Sequence, residues 1–325
     1  MRKMNAAPRL TIGLPVYNGE KYLAESIDAL LGQSYTDFEL IISDNASTDG
    51  TTDICRQYGK QDSRIRYVRQ PSNIGCAPNH NFVVRQAKGE LFKWASDDDL
   101  YARTMLARCV EALDEHPHVV LANPWTAMID NSGTVTKAVE YSVATASARA
   151  PERFRSMMFD GWFDDIGGVI RTEILRRTSL LGSYHLADRA LTTEIGLHGP
   201  FYQVPDWMYF RRDHPDRAER AYPGVRNWCA NLDPRRANQW RHPTVRLYSE
   251  YVWAYIAAIR RAPLSSADRR ECYQYLALWA GGRALPVARQ AARGRAARTG
   301  EPPASAIQPV LSVDAVVAGQ EGKTS

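Results

Sequence analysis

The chain has 325 residues, enough for one large domain or two ordinary ones with a sizeable core. Its 44% hydrophobic and 24% charged residues suit a water-exposed globular fold. The formal charge of +5 is concentrated in Arg283, Arg289, Arg293, Arg295 and Arg298, a local basic segment and not a nucleic-acid footprint.

Residues 10–14 are a short apolar run ending at Pro15, which predicts a first strand. Over 19–33, Tyr22, Leu23, Ile27, Leu30 and Leu31 recur at helical spacing. Residues 38–43 give a second strand, which runs into the turn and N-cap residues of 44–50 before a helix to about residue 58. A third strand over 65–69, a loop with Pro71, Asn73 and Gly75, a helix over 78–87 and a fourth strand over 91–95 follow. Asp97, Asp98 and Asp99 come next, then a helix over 102–115 and a fifth strand over 119–122. Strands separated by such helices imply right-handed crossovers and a parallel α/β sheet covered on both faces, with ligands at the carboxyl ends of the strands. Tyr17, Asp44, Asn73 and the Asp97–Asp99 triplet fall at four such ends.

The second half is less regular. Residues 127–135 lose periodicity around Asn131-Ser132-Gly133, a hairpin turn. Helices are expected over 151–159, 171–180 (after a strand at 167–170) and 188–198, and residues 202–212 look mixed. Trp-, Tyr- and Ala-rich amphipathic stretches at 245–260 and 267–279 predict antiparallel helices, and the composition from residue 293 predicts a disordered tail. No apolar run approaches the roughly 20 residues of a spanning helix. The first ten residues lack a leader's apolar core, and five scattered cysteines without CxxC suggest reduced thiols in a cytoplasmic protein, with no zinc site or disulfide framework.

Three adjacent carboxylates raise one another's pKa unless they share a cation, and oxygen donors suit Mg2+ or Mn2+, ions that also bind phosphates. The plain alternative is a solvated acidic turn. Asp44 can accept from a nucleobase N–H or a ribose hydroxyl, or serve as a cap. Tyr17 can stack on a base or pack in its loop. Neither GxGxxG nor GxxxxGK[ST] occurs, so a pyrophosphate here would depend on a metal.

TIGLPVYNGEKYLAESIDALLGQSYTDFELIISDNASTDGT and SNIGCAPNHNFVVRQAKGELFKWASDDDLY resemble successive blocks of the family 2 glycosyltransferases. The likeness runs from about residue 9 to 215 and is strongest over the first 125. It implies the GT-A fold, a Rossmann-like, mostly parallel α/β sheet with helices on both faces, here with a C-terminal helical extension. The expected division is a catalytic domain over 1–225 (a nucleotide-sugar half about 9–125, an acceptor half about 126–225), helices over 226–292 and the tail over 293–325. The implied reaction is inverting, metal-dependent transfer of one sugar from a nucleotide-diphosphate sugar, UDP-linked first, to a hydroxyl of a glycolipid, polysaccharide precursor or natural product. By the same resemblance Pro15, Tyr17, Asp44, Asn73, Gly75 and Asp97 hold the nucleotide and Asp98 the Mn2+ or Mg2+ ion, with Asp99 and His214 as further ligand candidates. Many members carry Asp-X-Asp-Asp where this chain has Ser96-Asp97-Asp98-Asp99, so the metal carboxylate is open by one position.

The family places a general base at the start of a second-half helix, which points to Asp188 with Glu194 as rival; a helix N-terminal acid is the plain reading of Asp188. Arg211 or Arg212 would pair with the phosphates, and Trp162, Asp164 and Asp165 could face the sugar or acceptor. The QxxRW signature of processive synthases is absent, favouring single transfer. A non-catalytic nucleotide-sugar-binding protein is the alternative. A sugar-phosphate nucleotidyltransferase would need a Gly-rich, Arg/Lys-bearing loop where Pro15-Val16-Tyr17-Asn18 stands. Expected partners are the donor and the hydroxyl acceptor, no nucleic acid, and either peripheral contact with the inner face of a membrane or a homodimer through the C-terminal helices.

Overall fold

The computed structural model describes residues 7–139, 143–160 and 165–292. Strand β1 (Leu10–Val16) is buried along its whole length, so both of its faces must be covered. Leu10, Ile12, Leu14 and Val16 join helices α1 (Leu23–Leu31) and α4 (Met105–Glu115) in the largest apolar cluster. On the other face α3 (Cys76–Gln86) comes so close that a Cβ on Gly13 would lie 2.6 Å from Val83 Cγ2.

Strand β2 (Phe38–Asp44) pairs in parallel with β1, Leu10 opposite Phe38 and Val16 opposite Asp44. Helix α2 (Thr51–Gln61) leads to β3 (Ile65–Arg69), parallel to β2, while β4 (Leu91–Trp94) flanks the other edge of β1. The carboxyl ends of these four parallel strands therefore share one edge of the sheet.

Beyond β4 the sheet becomes mixed. Its other strands are β5 (Leu100–Tyr101), β6 (Leu121–Ile129), β7 (Val135–Val139), β8 (Val169–Arg171) and β9 (Phe201–Arg212). The order is β3-β2-β1-β4-β8-β6-β9-β5, with β7 paired off β6. The expected fifth strand is thus separated from β4 by antiparallel β8, and it runs on to Ile129. The mixed reading of 202–212 is replaced by one long strand. Pro205 and Asp206 break its alternation, and the ladder absorbs them by register slips: Val204 faces Pro124, Trp207 faces Trp125 and Tyr209 faces Thr126. The turn at Asn131-Ser132-Gly133 does form a hairpin, its loop held by Asp130 Oδ1 accepting from the Ser132 and Thr134 N–H groups at 2.8 and 3.0 Å.

The remaining helices are α5 (Ala150–Phe159), α6 (Thr172–Arg176), α7 (Ala187–His198), α8 (Ala218–Ala221), α9 (Val225–Leu232), α10 (Thr244–Arg261) and α11 (Ser266–Ala292). Helix α6 is half the expected length. Helices α10 and α11 pack on α5 and α7 through Phe154, Met158, Leu197, Tyr255, Ile259 and Leu276, with Tyr251 and Trp279 edge-on. No helix among the described residues is long and apolar enough to cross a membrane. The tail expected from residue 293 lies outside the described residues.

Candidate active site

A cleft of about 540 Å³ opens where β1 and β4 end. Its wall includes Pro15 and Tyr17, the Asp97–Asp99 turn, and Asp188, Arg211 and His214 from the second half. The loop after β1 is fixed by its own sequence. Asn18 adopts φ +54°, a conformation Asn tolerates, and its Oδ1 accepts the Thr48 N–H at 2.8 Å. Gly19 makes room for the acidic turn: a Cβ there would sit 2.1 Å from Asp97 Oδ2 and 2.8 Å from Val16 Cγ2, so Asp97 would have to shift. Tyr17 lines the cleft and is 41% exposed.

The three carboxylates differ. Burial, then the charge of Asp98, raises the Asp97 carboxyl to about 8. Burial acts on Asp98 too, yet hydrogen bonds from His214 and Ser96 hold it below the usual carboxylate range. Asp99 is raised to about 7 by burial and Asp98, and it accepts from the Tyr209 hydroxyl at 2.6 Å and the Arg212 N–H at 2.9 Å. His214, 7% exposed, places Nε2 3.0 Å from Asp98 Oδ2, and its buried Nδ1 has no hydrogen-bond partner.

No three His, Cys, Asp or Glu side chains among the described residues form a complete metal cage. Mg2+ characteristically takes one or two carboxylates and completes its shell with water and substrate phosphates. Asp97 and Asp98 could supply those oxygens from the cleft wall, and a cation there would offset the Asp98 charge that, after burial, raises the Asp97 carboxyl. The residues present fit a divalent ion.

Asp188 lies in the first turn of α7, exposed on the wall of the same cleft. Glu194 does not line it. It is buried, accepts from Ser179 N and Oγ at 3.1 and 2.9 Å, and pairs with Arg261 of α10, which ties α7 to its neighbours. Asp44 is also away from the cleft. It is 0% exposed and accepts from Ser47 N, Thr52 Oγ1, Tyr67 OH and Arg69 Nη1 at 2.8 to 2.9 Å. Burial alone would raise its pKa, but the Ser47, Thr52 and Tyr67 hydrogen bonds hold it low. Asn73 Oδ1 accepts from Asn45 Nδ2 and Gly75 N, a loop-holding role. Gly75, at φ +92°, faces the chain at Leu232 and Asp233, where a Cβ would come within 2.6 Å of the Leu232 carbonyl. Neither Asn73 nor Gly75 lines the cleft.

Arg212, expected to meet phosphates, is 1% exposed. Its guanidinium donates to Asp98 O, Asn131 O and Glu25 Oε2 at 3.0, 3.0 and 2.6 Å, so it is built into the floor; Arg211 lines the cleft instead. Trp162 and Asp164 lie outside the described residues, and Asp165 opens a 3-10 turn, Asp165–Gly167, whose Ile166 and Gly167 reach the cleft. Sequence reasoning missed His80, Lys21, Arg217, Tyr222, Trp228 and Asn231. Arg217 had a signal, since it closes the FRRDHPDR segment that carries His214.

A family model described as glycosyl transferase family 2 matches residues 11–184. GlyG of Streptococcus pneumoniae serotype 4, named as a glycosyltransferase, is 25% identical over 207 residues, 63% of this chain and 68% of that protein. EpsE of Bacillus subtilis (strain 168), assigned among glycosyltransferases, is 35% identical over 131 residues, 40% of this chain and 47% of its own length. The chain thus spans about half the length of that relative. Among solved structures, S. aureus TarS in complex with UDP superposes with TM-score 0.57 at 18% identity, covering 83% of this chain and 70% of that one. The complex of TarS with UDP-GlcNAc gives 0.58 at 17% identity, over 83% and 71%. The architecture is the GT-A fold: a mixed, mostly parallel α/β sheet with a helical C-terminal part.

Proposed function

The chain belongs to glycosyl transferase family 2, and on that premise we propose that it transfers one sugar from a nucleotide-diphosphate sugar, UDP-linked first, to a hydroxyl of a discrete acceptor, with inversion. The observation that carries this reading is that Asp97, Asp98, His214 and Asp188 line one cleft at the strand ends. A divalent ion bound at Asp97 and Asp98, with His214 beside them, would act as a Lewis acid on the departing diphosphate.

The chain's own residues do the rest. Pro15 and Tyr17 offer a surface for the base, the exposed ring stacking on it. Lys21, Arg211 and Arg217 bring positive charge to the phosphates. Asp188 takes the proton from the acceptor hydroxyl as it attacks, a contribution of typically 10²–10⁴-fold. Asp44, enclosed by its donors, anchors the Ser47 loop, and Arg69 continues that anchor to the Ser47 carbonyl at 2.9 Å. In this reading the first half holds the donor, while α7 and α9 (through Trp228 and Asn231) face the acceptor. Asp188 on the cleft wall favours catalysis over a binding module.

The test is a thermal-shift screen of UDP-, GDP- and dTDP-sugars with and without Mn2+. A donor at a hundred times its Kd stabilises by about 2.7 kcal/mol. One nucleotide class is expected to stabilise only with metal, and the absence of any metal-dependent shift would overturn the proposal. Exposed Trp240 and Tyr248, beside Arg235, Arg241 and Arg246, also support peripheral contact with an anionic surface; failure to float with anionic vesicles would remove that part alone.

A further inference from the structure

Lys93 is 0% exposed, a position that is costly for an ammonium. It lies in β4, the strand that delivers the acidic turn. Along that strand Phe92 and Trp94 enter one apolar cluster, while Leu91 and Ala95, which share Lys93's face, enter the other with Tyr101 and Tyr209. Nζ donates to the Trp94 carbonyl at 3.2 Å and to the Gly167 carbonyl. It stands 4.5 Å from the Tyr101 ring centroid and 5.4 Å from that of Tyr209, and the two rings stack at 5.6 Å with 10° between their planes.

Both phenols end on the acidic turn. The Tyr101 oxygen accepts the Ser96 N–H at 2.9 Å, and the Tyr209 hydroxyl donates to Asp99 at 2.6 Å. A cation at a ring face is held by the ring's quadrupole; at Tyr209 it draws electron density from the phenol and strengthens that hydroxyl as the donor to Asp99, while at Tyr101 it fixes the ring that meets the Ser96 N–H. Gly167 itself lines the cleft, and a Cβ there would strike the Tyr209 ring at 2.7 Å. One ammonium therefore joins the acidic turn, the two tyrosines beneath it and a second stretch of cleft wall.

We propose that Lys93 is a positioning residue of the donor site, acting through Tyr101, Tyr209 and Gly167 to hold the Asp97–Asp99 turn in the arrangement that receives a divalent cation and a nucleoside diphosphate. The inference rests on the donor-site reading above. All three carboxylates line the cleft, and the two hydrogen bonds that Asp99 accepts, from Tyr209 and the Arg212 N–H, tie the turn to β9.

The test uses Lys93→Met, close in volume and without the charge. Calorimetry measures UDP binding in saturating Mn2+, and NMR of ring-labelled tyrosine, recorded without metal, reports on the cage. The expected result is a folded protein whose UDP–Mn2+ Kd rises at least tenfold, with the Tyr101 and Tyr209 resonances displaced. A folded variant with unchanged Kd overturns the proposal. Should Lys93→Met not fold, Tyr209→Phe carries the test, since it keeps the ring and removes only the hydroxyl on Asp99. A tenfold loss then supports the proposal and an unchanged Kd overturns it. Absence of metal-dependent UDP binding in the wild type counts against the functional proposal instead. The tyrosine spectra then decide this one, unmoved signals in Lys93→Met overturning it.

Discussion

Asp188→Asn separates chemistry from structure at the cleft. The side chain is exposed, in the first turn of α7, so the amide fits without repacking. Losing a negative charge near a helix N-terminus costs about 0.3–1 kcal/mol, a melting shift of no more than a few degrees. Loss of a general base removes about 10²–10⁴ in rate, equivalent to about 2.7–5.4 kcal/mol of transition-state stabilisation. The assay is donor-dependent nucleotide release with acceptor present, alongside calorimetric donor binding. A fall of at least a hundredfold in kcat with unchanged donor Kd is expected. Near-wild-type turnover would refute the assignment. Glu194→Gln supplies the contrast: it breaks the buried contact with Arg261, so its effect should fall on stability, by about 1–3 kcal/mol, with kcat per folded molecule retained.

Two further outcomes follow from particular contacts. Gly19→Ala forces its Cβ against Asp97, and UDP–Mn2+ affinity measured by calorimetry should fall at least tenfold while circular dichroism is unchanged; an unaltered Kd would show that Asp97 moves aside without consequence. Asp44 has its pKa depressed in the folded state, so its contribution is present above the unfolded carboxylate pKa and is lost as pH falls through the lower folded value. Wild type should therefore melt above Asp44→Asn at pH 7, with the gap narrowing below about pH 4; a pH-independent gap would refute the linkage.

The parallel half of the sheet was legible because its strands are short, mostly apolar stretches separated by periodic helices and turn residues. Strand β9 was not, since Pro205 and Asp206 break the alternation that its register slips against β6 absorb. Strand β5, two residues long, carries too little pattern to register. At the site, Tyr17, the aspartate turn and Asp188 were readable as strand-end or helix-start residues. Asp44 shows what a local pattern leaves open, because a carboxylate after a strand looks the same whether it faces a ligand or its own fold; its donors Thr52, Tyr67 and Arg69 are gathered only by the sheet. The burial of Arg212 was equally out of reach: its partner Glu25 lies in α1, beyond any local pattern. Trp228 and Asn231 were invisible because α9 reaches the cleft only after the chain has left β9.

The family signature ends at residue 184, yet Tyr209, Arg212 and His214, which grip Asp98 and Asp99, come later on β9 and just beyond it. The stretch that carries the family match and the residues that brace the candidate site thus lie in different parts of the polypeptide. A truncation that kept every diagnostic motif would still release the clamp on those aspartates. Any chimera that exchanges the second half of the chain must carry this strand across intact or rebuild its grip.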